Sequence, residues 1–349
     1  MFFGKKKIIG LDIGTSTIKL AELDVSKRSA TLVSFGMLET PPNSVSGGEV
    51  IDSGAIGATI GQLVEDVNSK RKLAATSLWG TSVIVKRISI PRMEESLIAE
   101  QIRWEAEQYI PYDVNEVNLA FQVLKQANKS PETMDILLVA AVQEKAFKSA
   151  ETIELAGLKC AILDVAGFAL ANCFFRSYGD RATGNALLLN VGATTTNFVV
   201  VSKGEVVFCR DIPVGGSTYT SELQKGMGIN SEEAEVMKMS VASGQPAPDE
   251  AAAIIQSVHD IVADEISGSV DFFVNTSDAD QIKQCFVTGG GSKMPGLLTR
   301  LSNIMNCEKF DPFLGINYSK KVFSASYIDQ IRDFSAVAIG LGLRGVGDS

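Results

Sequence analysis

The stretches "GLDIGTSTIKLA" (residues 10–21) and "LNVGATTTNFVV" (residues 189–200) follow one pattern: a strand, a tight polar turn and a second strand. Three positions align between the two turns: Gly14 with Gly192, Ser16 with Thr194, and Thr17 with Thr195. These hairpins are the one internal repeat of the sequence. Because each hairpin opens one half of the chain, we predict two related halves that face each other across a cleft.

The composition is typical of a soluble globular protein. Of the 349 residues, 45% are hydrophobic and 21% charged, and the length suffices for two domains with a large core. The formal net charge of −9 and the lack of a basic stripe argue against nucleic acid as a partner, since phosphate backbones bind positive surfaces. No apolar stretch approaches the roughly 18 residues of a membrane-spanning helix, so no transmembrane segment is predicted.

The cysteines indicate a reducing compartment. They are scattered, odd in number and without CxxC spacing: Cys160, Cys173, Cys209, Cys285 and Cys307. Such residues pack as small apolar side chains. We therefore expect a cytoplasmic protein with neither a zinc site nor a disulfide framework.

Periodicity predicts the other elements. The run "SVIVKRISI" (82–90) is rich in β-branched residues and predicts a strand, and apolar spacing predicts a helix over 93–110. Asn230 followed by Glu233 is typical of a helix start. Further elements are predicted as strands at 7–13 and 135–142, as hairpins at 186–201 and then 205–212 with a turn at Lys203-Gly204, and as helices at about 144–156, 166–178 and 249–274.

The turns of the two hairpins are candidate phosphate sites. A turn led by glycine lets backbone N–H groups point outward together, and small hydroxyl side chains add donors. A lone hairpin of this kind usually only turns the chain, but two copies favour a shared anion. The candidate residues are Gly14, Thr15, Ser16 and Thr17 in the first turn, and Gly192, Ala193, Thr194 and Thr195 in the second.

Charged side chains accompany only the first turn. Asp12 ends the strand before it and is predicted to bind Mg²⁺ through water, because Mg²⁺ prefers few carboxylates beside phosphate oxygens. Lys19 lies on the same side of the hairpin and is predicted to pair with a phosphate. The residue that aligns with Asp12 in the second hairpin is Asn190, an amide.

Two further glycine-rich segments complete the candidate site. In "VTGGGSKMPGL" (287–297), successive glycines after a buried strand allow a flat ligand to lie against the backbone, and the following helix start is positive. In "PVGGS" (213–217), a helix is predicted to start near phosphates. The spacing excludes a Walker P-loop and a Rossmann fingerprint. The candidate residues are Gly215, Gly216, Gly289, Gly290, Gly291, Ser292 and Met294.

Taken together, these motifs resemble those of the actin-like ATPase superfamily. "LDIGTSTIK" (11–19) resembles its first phosphate motif, "NVGATTTNF" (190–198) its second, and "VTGGGSKMPGL" its adenosine motif. The helix "AEVMK" resembles one that contacts adenosine in bacterial cytoskeletal members. Its Glu235 and Lys238 lie on one helical face, with a solvent-facing ion pair as the alternative.

Finer features resemble the PilM family, the cytoplasmic actin-like components of type IV pilus assembly. The matching stretches are "EAEQYIPYDVNEV" (105–117), "ILLVAAVQEKAF" (136–147), "AGLKCAILDVAGFALAN" (156–172) and "FDPFLGI" (310–316). The similarity follows nearly the whole chain in order. The related division protein FtsA also has a C-terminal amphipathic membrane helix, which "IGLGLRGVGDS" (339–349) does not resemble.

The resemblance implies an α/β fold of the actin-like, duplicated ribonuclease H-like type, with two lobes around a nucleotide cleft. It places a first lobe at 1–185, including an extra FtsA/PilM-type subdomain at about 82–163. A second lobe then spans 186–330, and a C-terminal helix over 331–349 returns to the first lobe.

The resemblance also implies bound ATP or ADP with Mg²⁺. Relatives that hydrolyse ATP carry an acid where this chain has Asn190, and related proteins often carry a glutamate where it has Ala166. An amide brings no charge and cannot take a proton. We therefore expect slow hydrolysis or none, and no residue is assigned as catalytic.

For partners, the resemblance implies a scaffold that docks the N-terminal cytoplasmic tail of PilN beside the extra subdomain. This would place the protein at the inner membrane through its partners. Other pilus assembly proteins, including the motor ATPases, and self-association are further expectations. The alternatives are an active ATPase, an FtsA-like filament and a small-molecule kinase, although no convincing catalytic aspartate for a kinase is found.

Three isolated residues are expected to be structural. His259, the only histidine, is expected at the surface or boundary of its helix. Trp79 and Trp104 are expected to pack rather than bind ligand.

Overall fold

The structure is a computed structural model that describes residues 7–125, 131–179, 184–277 and 281–346. Its strands are β1 (Ile9–Ile13), β2 (Thr17–Val25), β3 (Ala30–Glu39), β4 (Val45–Ser46), β5 (Glu49–Val50), β6 (Leu73–Leu78), β7 (Val83–Pro91), β8 (Val117–Val123), β9 (Thr133–Val142), β10 (Lys159–Val165), β11 (Asn185–Val191), β12 (Thr196–Ser202), β13 (Glu205–Ile212), β14 (Ile282–Thr288), β15 (Cys307–Lys309) and β16 (Asn317–Tyr318). Its helices are α1 (Ser53–Asp66), α2 (Glu95–Glu107), α3 (Gln143–Leu155), α4 (Ala166–Tyr178), α5 (Gly216–Met227), α6 (Ser231–Ala242), α7 (Asp249–Ser277), α8 (Leu297–Ser302), α9 (Ala325–Ile331) and α10 (Ala336–Gly342).

The two largest sheets share one strand order. The first runs β10-β6-β1-β2-β3-β16 and the second β15-β14-β11-β12-β13. In each, a meander of three antiparallel strands is extended by two strands that run parallel to the first strand of the meander. The short β16 adds to the edge of the first sheet. The hairpin repeat in the sequence is therefore part of a repeat of the whole sheet, and the prediction of two related halves is confirmed.

Helices α4 and α10 lie between the two sheets. Helix α10 packs against α4, β1 and β2, while α4 also packs against β12 and β13. The ring of Phe174 in α4 meets that of Phe286 in β14, with the centroids 4.9 Å apart. One hydrophobic core thus runs from the first sheet through these helices to the second, which fixes the position of the two halves relative to each other.

The second sheet has another core on its opposite face, formed with α5, α6 and α7. Strands β11 and β12 are buried along nearly their whole length, because helices cover both faces of the sheet. This burial explains why their sequences read as continuous apolar runs rather than alternating ones.

A third, smaller sheet with the order β7-β9-β8 forms the extra subdomain together with α2. Ile98, Ile102 and Ala106 of α2 are buried, as their helical spacing predicts. This unit is narrower than the predicted range of 82–163, because β10 pairs with β6 in the first sheet and α3 packs against α1. The boundaries at 185/186 and 330/331 stay predictions, and residues 347–349 of the predicted terminal helix lie outside the described part.

Local signals in the sequence are confirmed at several turns and caps. The Asn230 side chain accepts from the Glu233 N–H at 2.9 Å, and the Glu233 carboxylate accepts from the Asn230 N–H at 3.0 Å. Lys203 and Gly204 both have positive φ in the turn between β12 and β13. Helix α3 ends before Gly157, which has a φ of 74°. These features depend on neighbours in sequence, so they were predictable.

Two expectations about single residues are wrong. His259 is buried with 2% exposure, because its face of α7 packs against Tyr219, whose ring lies 5.6 Å away. Trp104 is 70% exposed, since it lies off the buried stripe of α2. Trp79 is buried as expected, and its indole N–H donates to the Ile13 carbonyl at 3.2 Å.

No helix among the described residues is long and apolar enough to cross a membrane. The longest, α7, carries charged residues along its length.

Candidate functional site

The two hairpin turns face each other across a cavity of about 720 Å³. Seventeen of the nineteen residues predicted to bind nucleotide line it: Asp12, Gly14, Thr15, Ser16, Thr17, Lys19, Gly192, Ala193, Thr194, Thr195, Gly216, Glu235, Lys238, Gly289, Gly290, Gly291 and Met294. Asn190 and Ala166, the positions singled out for their missing acids, line it as well. Gly215 and Ser292 do not.

The turns have matching geometry and meet directly. The Gly14 N–H donates to the Thr17 carbonyl at 3.1 Å, and the Gly192 N–H donates to the Thr195 carbonyl at 2.9 Å. Across the cleft, the hydroxyl oxygens of Thr15 and Thr194 are 3.0 Å apart. The two turns therefore border the same part of the cavity.

The first hairpin presents an ion pair to the cavity. Lys19 lies opposite Asp12 in the strand register, and its Nζ is 3.1 Å from Asp12 Oδ2. The two side chains are only 12% and 14% exposed. A magnesium ion bound through water would suit this single carboxylate, and Lys19 would then be free to turn to a phosphate oxygen.

The second hairpin presents amides in the same row. Asn190 Nδ2 donates to Asn197 Oδ1 at 2.8 Å, and Asn197 Nδ2 donates to Asp211 Oδ1 at 2.7 Å. The Gly80 N–H donates to Asp211 Oδ2 at 2.6 Å. Burial raises the pKa of Asp211, and the hydrogen bonds from Gly80 and Asn197 only partly oppose the increase.

The start of α5 packs against the second turn, and its predicted proximity to phosphates stays a prediction. The Gly216 N–H donates to the Gly192 carbonyl at 2.9 Å, and the Ser217 N–H donates to the Ala193 carbonyl at 2.6 Å. These amides hold the second turn instead of pointing to an anion. A Cβ at Gly215 would lie 2.6 Å from the Gly192 carbonyl oxygen, so glycine is needed there for close packing, which explains why Gly215 is outside the cavity lining.

The glycine loop after β14 packs tightly on the second hairpin. Gly289 has a φ of 95°, and a Cβ there would lie 2.3 Å from the Val191 carbonyl oxygen. Its N–H donates to the Asp333 carbonyl at 2.8 Å. Ser292 is buried, and its hydroxyl donates to the Gly289 carbonyl at 2.7 Å. Ser292 therefore shapes the loop and does not contact the cavity.

Glu235 and Lys238 of α6 form an ion pair at the cavity wall. Their charged atoms are 2.7 Å apart, and the Lys238 side chain is 12% exposed while that of Glu235 is 47% exposed. The Thr220 hydroxyl donates to Glu235 at 2.6 Å. Because Lys238 is largely buried, this pair is not an ordinary solvent-facing one.

Sequence reasoning missed part of the wall. The residues are Met37, Leu38, Glu39, Thr40, Trp79, Asn197, Met239, Ala242, Ser243, Lys293, Asp333, Phe334 and Val337. Lys293 lies 5.3 Å from the centre of the Phe334 ring. Asn197 and Lys293 lie within the quoted motifs at 190–198 and 287–297, and Met239 follows the "AEVMK" motif directly, so these three carry a sequence signal. The described residues contain no cluster of three or more metal-binding side chains.

The duplicated sheets and the facing hairpins define an actin-like fold. Three solved structures are similar. A chain of a PilM–PilN type IV pilus biogenesis complex is 27% identical, with a TM-score of 0.88, covering 99% of this chain and 100% of that chain. The ethanolamine utilization protein EutJ from Carboxydothermus hydrogenoformans is 17% identical, with a TM-score of 0.57, covering 98% and 91%. MreB 5 of Spiroplasma citri bound to AMPPNP is 11% identical, with a TM-score of 0.50, covering 97% and 95%.

The last two likenesses show the fold alone. The model of the family described as type IV pilus assembly protein PilM matches residues 10–346. The chain belongs to that family.

Proposed function

We propose that this protein binds ATP or ADP with Mg²⁺ in the cleft between its lobes and acts as a scaffold of type IV pilus assembly. Its partner is the N-terminal cytoplasmic tail of PilN, which holds it at the cytoplasmic face of the inner membrane. Hydrolysis is slow or absent.

The meeting of the two hairpins is the observation that supports nucleotide binding. Thr15 and Thr194 contact each other at one end of the cavity, and the glycine loop at 289–291 lines it together with α6. The cavity volume of about 720 Å³ lies within the roughly 300–1,000 Å³ typical of ligand pockets. Backbone donors at one end and a glycine-lined wall beyond suit a phosphate chain with a flat base.

The donor set fits a hydrated magnesium ion. Asp12 supplies one carboxylate, and Mg²⁺ commonly retains several waters beside one or two carboxylates and phosphate oxygens. When bound, the ion would neutralise phosphate charge. The residues of the chain orient the ligand: Lys19 and Lys238 supply positive charge, and the turns supply N–H donors.

Weak hydrolysis is proposed from the residue types at two positions of the cavity wall. Asn190 and Ala166 line it where an acid would take a proton or orient water. Such assistance is typically worth about 10²–10⁴ in rate. Binding depends on backbone donors and Asp12, so it would survive this loss.

Calorimetry of the full chain with Mg·ADP and Mg·ATP tests the nucleotide, and a phosphate-release assay tests turnover. We expect saturable binding and release far below one phosphate per second. No heat with excess Mg·ATP would contradict the proposal, and release near one per second that depends on Asp12 would make the protein an ATPase. Sedimentation with and without nucleotide tests filament formation and self-association.

The docking of PilN is proposed from the similarity to a chain solved in a PilM–PilN complex. Strand β7 lies at one edge of the extra sheet. Part of β7 packs against β13, and an extended segment can dock along the remainder of this edge. Nearby α2 exposes Leu97 at 53% and Trp104 at 70%. These apolar side chains suit a tail with apolar residues.

A peptide with the sequence of the PilN tail, titrated against the Trp104→Ala variant, tests the location. We expect at least tenfold weaker binding. The control is Phe147→Ala, because Phe147 is 71% exposed on α3, outside the extra sheet. Equal affinity of both variants and wild type would place the tail elsewhere. Pull-down with motor ATPases of the pilus tests the further partners.

A further inference from the structure

Three polar side chains form a row across the second sheet. Asn190 lies opposite Asn197, and Asn197 lies opposite Asp211 in the register of β11, β12 and β13. Residues that are directly opposite share one face of a sheet. The row begins at the cavity with Asn190 and continues through hydrogen bonds of 2.8 and 2.7 Å to Asp211.

The far end of this row reaches the extra subdomain. Asp211 accepts from the N–H of Gly80, which stands between β6 of the first sheet and β7 of the extra sheet. At the other end of β13, the Glu205 carboxylate accepts from the Lys125 N–H at 3.1 Å. Strand β13 therefore holds the extra subdomain at both of its ends.

The hydrogen bonds of Asp211 give the row a direction. One of its oxygens accepts from the Gly80 N–H and the other accepts from the Asn197 NH₂ group, so this NH₂ group faces Asp211. The Asn197 carbonyl oxygen then faces Asn190, and it accepts a hydrogen bond from the Asn190 NH₂ group. This leaves the carbonyl oxygen of Asn190 on the side of the cavity.

We infer that Asp211 is a positioning residue that fixes the Asn190 amide with its oxygen toward the cleft and ties this orientation to the root of the extra subdomain at Gly80. The inference deepens the proposed function and rests on it where nucleotide is concerned. An oxygen there could accept from the water of a bound magnesium ion, whereas an NH₂ group would place positive charge toward the metal.

The same row accounts for the amide at position 190. An aspartate at this position would face the carbonyl oxygen of Asn197. If Asn197 turned over, its oxygen would face Asp211 instead. Asn197 has a single donor end, its NH₂ group, and therefore cannot donate to acids on both sides, so the acid at 211 requires the amide at 190.

The row can be reversed by two substitutions. In D211N, the new amide can accept from Gly80 and donate to Asn197, so that Asn197 turns over and Asn190 points its NH₂ group into the cleft. In N190D/D211N, the reversed chain ends on a carboxylate at the cleft, with every hydrogen bond satisfied.

Chemical unfolding of the four proteins without nucleotide tests the row itself. We expect N190D to raise the unfolding equilibrium constant at least tenfold, and N190D/D211N to return within threefold of wild type. Additive effects of the two substitutions would overturn the inference. Because no nucleotide is present, this result stands even if the proposed function fails.

Calorimetry with ADP in magnesium and in EDTA tests the orientation. We expect the dissociation constant in magnesium, divided by that in EDTA, to rise at least tenfold in D211N. In N190D/D211N this ratio should return to the wild-type value. The matched control is Asp271→Asn, the same change at an exposed position of α7, which should leave the ratio unchanged. If D211N lost the same affinity for ADP with magnesium as without it, the positioning role of Asp211 would be overturned. Failure of the wild type to bind ADP would instead refute the proposed function.

Discussion

The first and second hairpins place different chemistry in the same row of their sheets. In the first sheet the row is Asp12, Lys19 and Met37, with an ion pair next to the cavity. In the second it is Asn190, Asn197 and Asp211, with the acid two strands away. Duplication preserved the backbone turns, since both turns need the same N–H geometry, whereas the side chains diverged into a charged end and a neutral end.

This division suits a binding site more than a hydrolytic one. The charged end can hold a metal, and the neutral end accepts hydrogen bonds but takes no proton. The carboxyl group that the second hairpin lacks is that of Asp211 in β13, where it accepts from Gly80 at the root of the extra subdomain.

The largest expected effect comes from placing acids at the cavity wall beside the second hairpin. Asn190→Asp with Ala166→Glu, in the D211N background that satisfies the row, should raise phosphate release by about 10² or more, because a base and a water-orienting group are restored. A malachite-green assay measures it. The same variant with Asp12→Ala is the control and should lose the gain. An unchanged rate with intact nucleotide binding would show that a different step limits turnover.

Breaking each end separately compares their contributions to binding. Asp12→Asn should weaken Mg·ADP binding by about 10–100-fold, since a hydrogen bond to a charged group is worth about 1.5–3 kcal/mol. Asn190→Ala removes a neutral hydrogen-bond acceptor and should weaken Mg·ADP binding by about tenfold or less. Calorimetry checks both. In EDTA, Asp12→Asn should bind ADP no more weakly than wild type, because Lys19 loses its competing partner; equal losses in both buffers would contradict the magnesium role.

The two turns should also differ in their tolerance of a methyl group. A Cβ at Gly192 would lie 2.7 Å from the Thr195 carbonyl oxygen, against 3.0 Å from the Thr17 oxygen for Gly14. Overpacking costs about 1–3 kcal/mol, so Gly192→Ala should destabilise the fold by that amount and Gly14→Ala by less. Urea unfolding measures the difference. The reverse order would mean that the first turn is the more rigid one.

The smallest expected effect is a pH dependence of the unfolding free energy that comes from His259 in the second lobe. His259 is buried in the second lobe, and burial lowers its pKa. Between this lowered value and the ordinary value near 6.5, the unfolded chain binds a proton that the folded chain does not, so stability falls as the pH falls. The slope due to His259 should reach at most about 1.4 kcal/mol per pH unit.

Urea unfolding of wild type and His259→Leu from pH 7.5 to pH 5.5 checks this dependence. The variant should lose less stability toward low pH than wild type. Parallel profiles would show that another group is responsible.

Much of the site was predictable because its motifs are local. Each hairpin turn is closed by a hydrogen bond within four residues, so its sequence is sufficient to identify it. The lining residues Thr40, Asp333 and Phe334 were missed because they come from segments without a motif, and they reach the cavity only through packing. The errors at His259 and Trp104 have the same cause: which face of a helix is covered depends on distant elements.

The sequence alone determined the two hairpins, the glycine loop, the repeat and the family, because these follow from short-range backbone geometry and from residue order. Only the tertiary structure showed that the turns meet at Thr15 and Thr194, that the amides at the start of α5 are used for packing, and that Asp211 connects Asn190 to Gly80. These contacts join residues far apart in the chain, and the hydrogen bonds of a buried polar group are decided by whichever neighbours the fold brings to it.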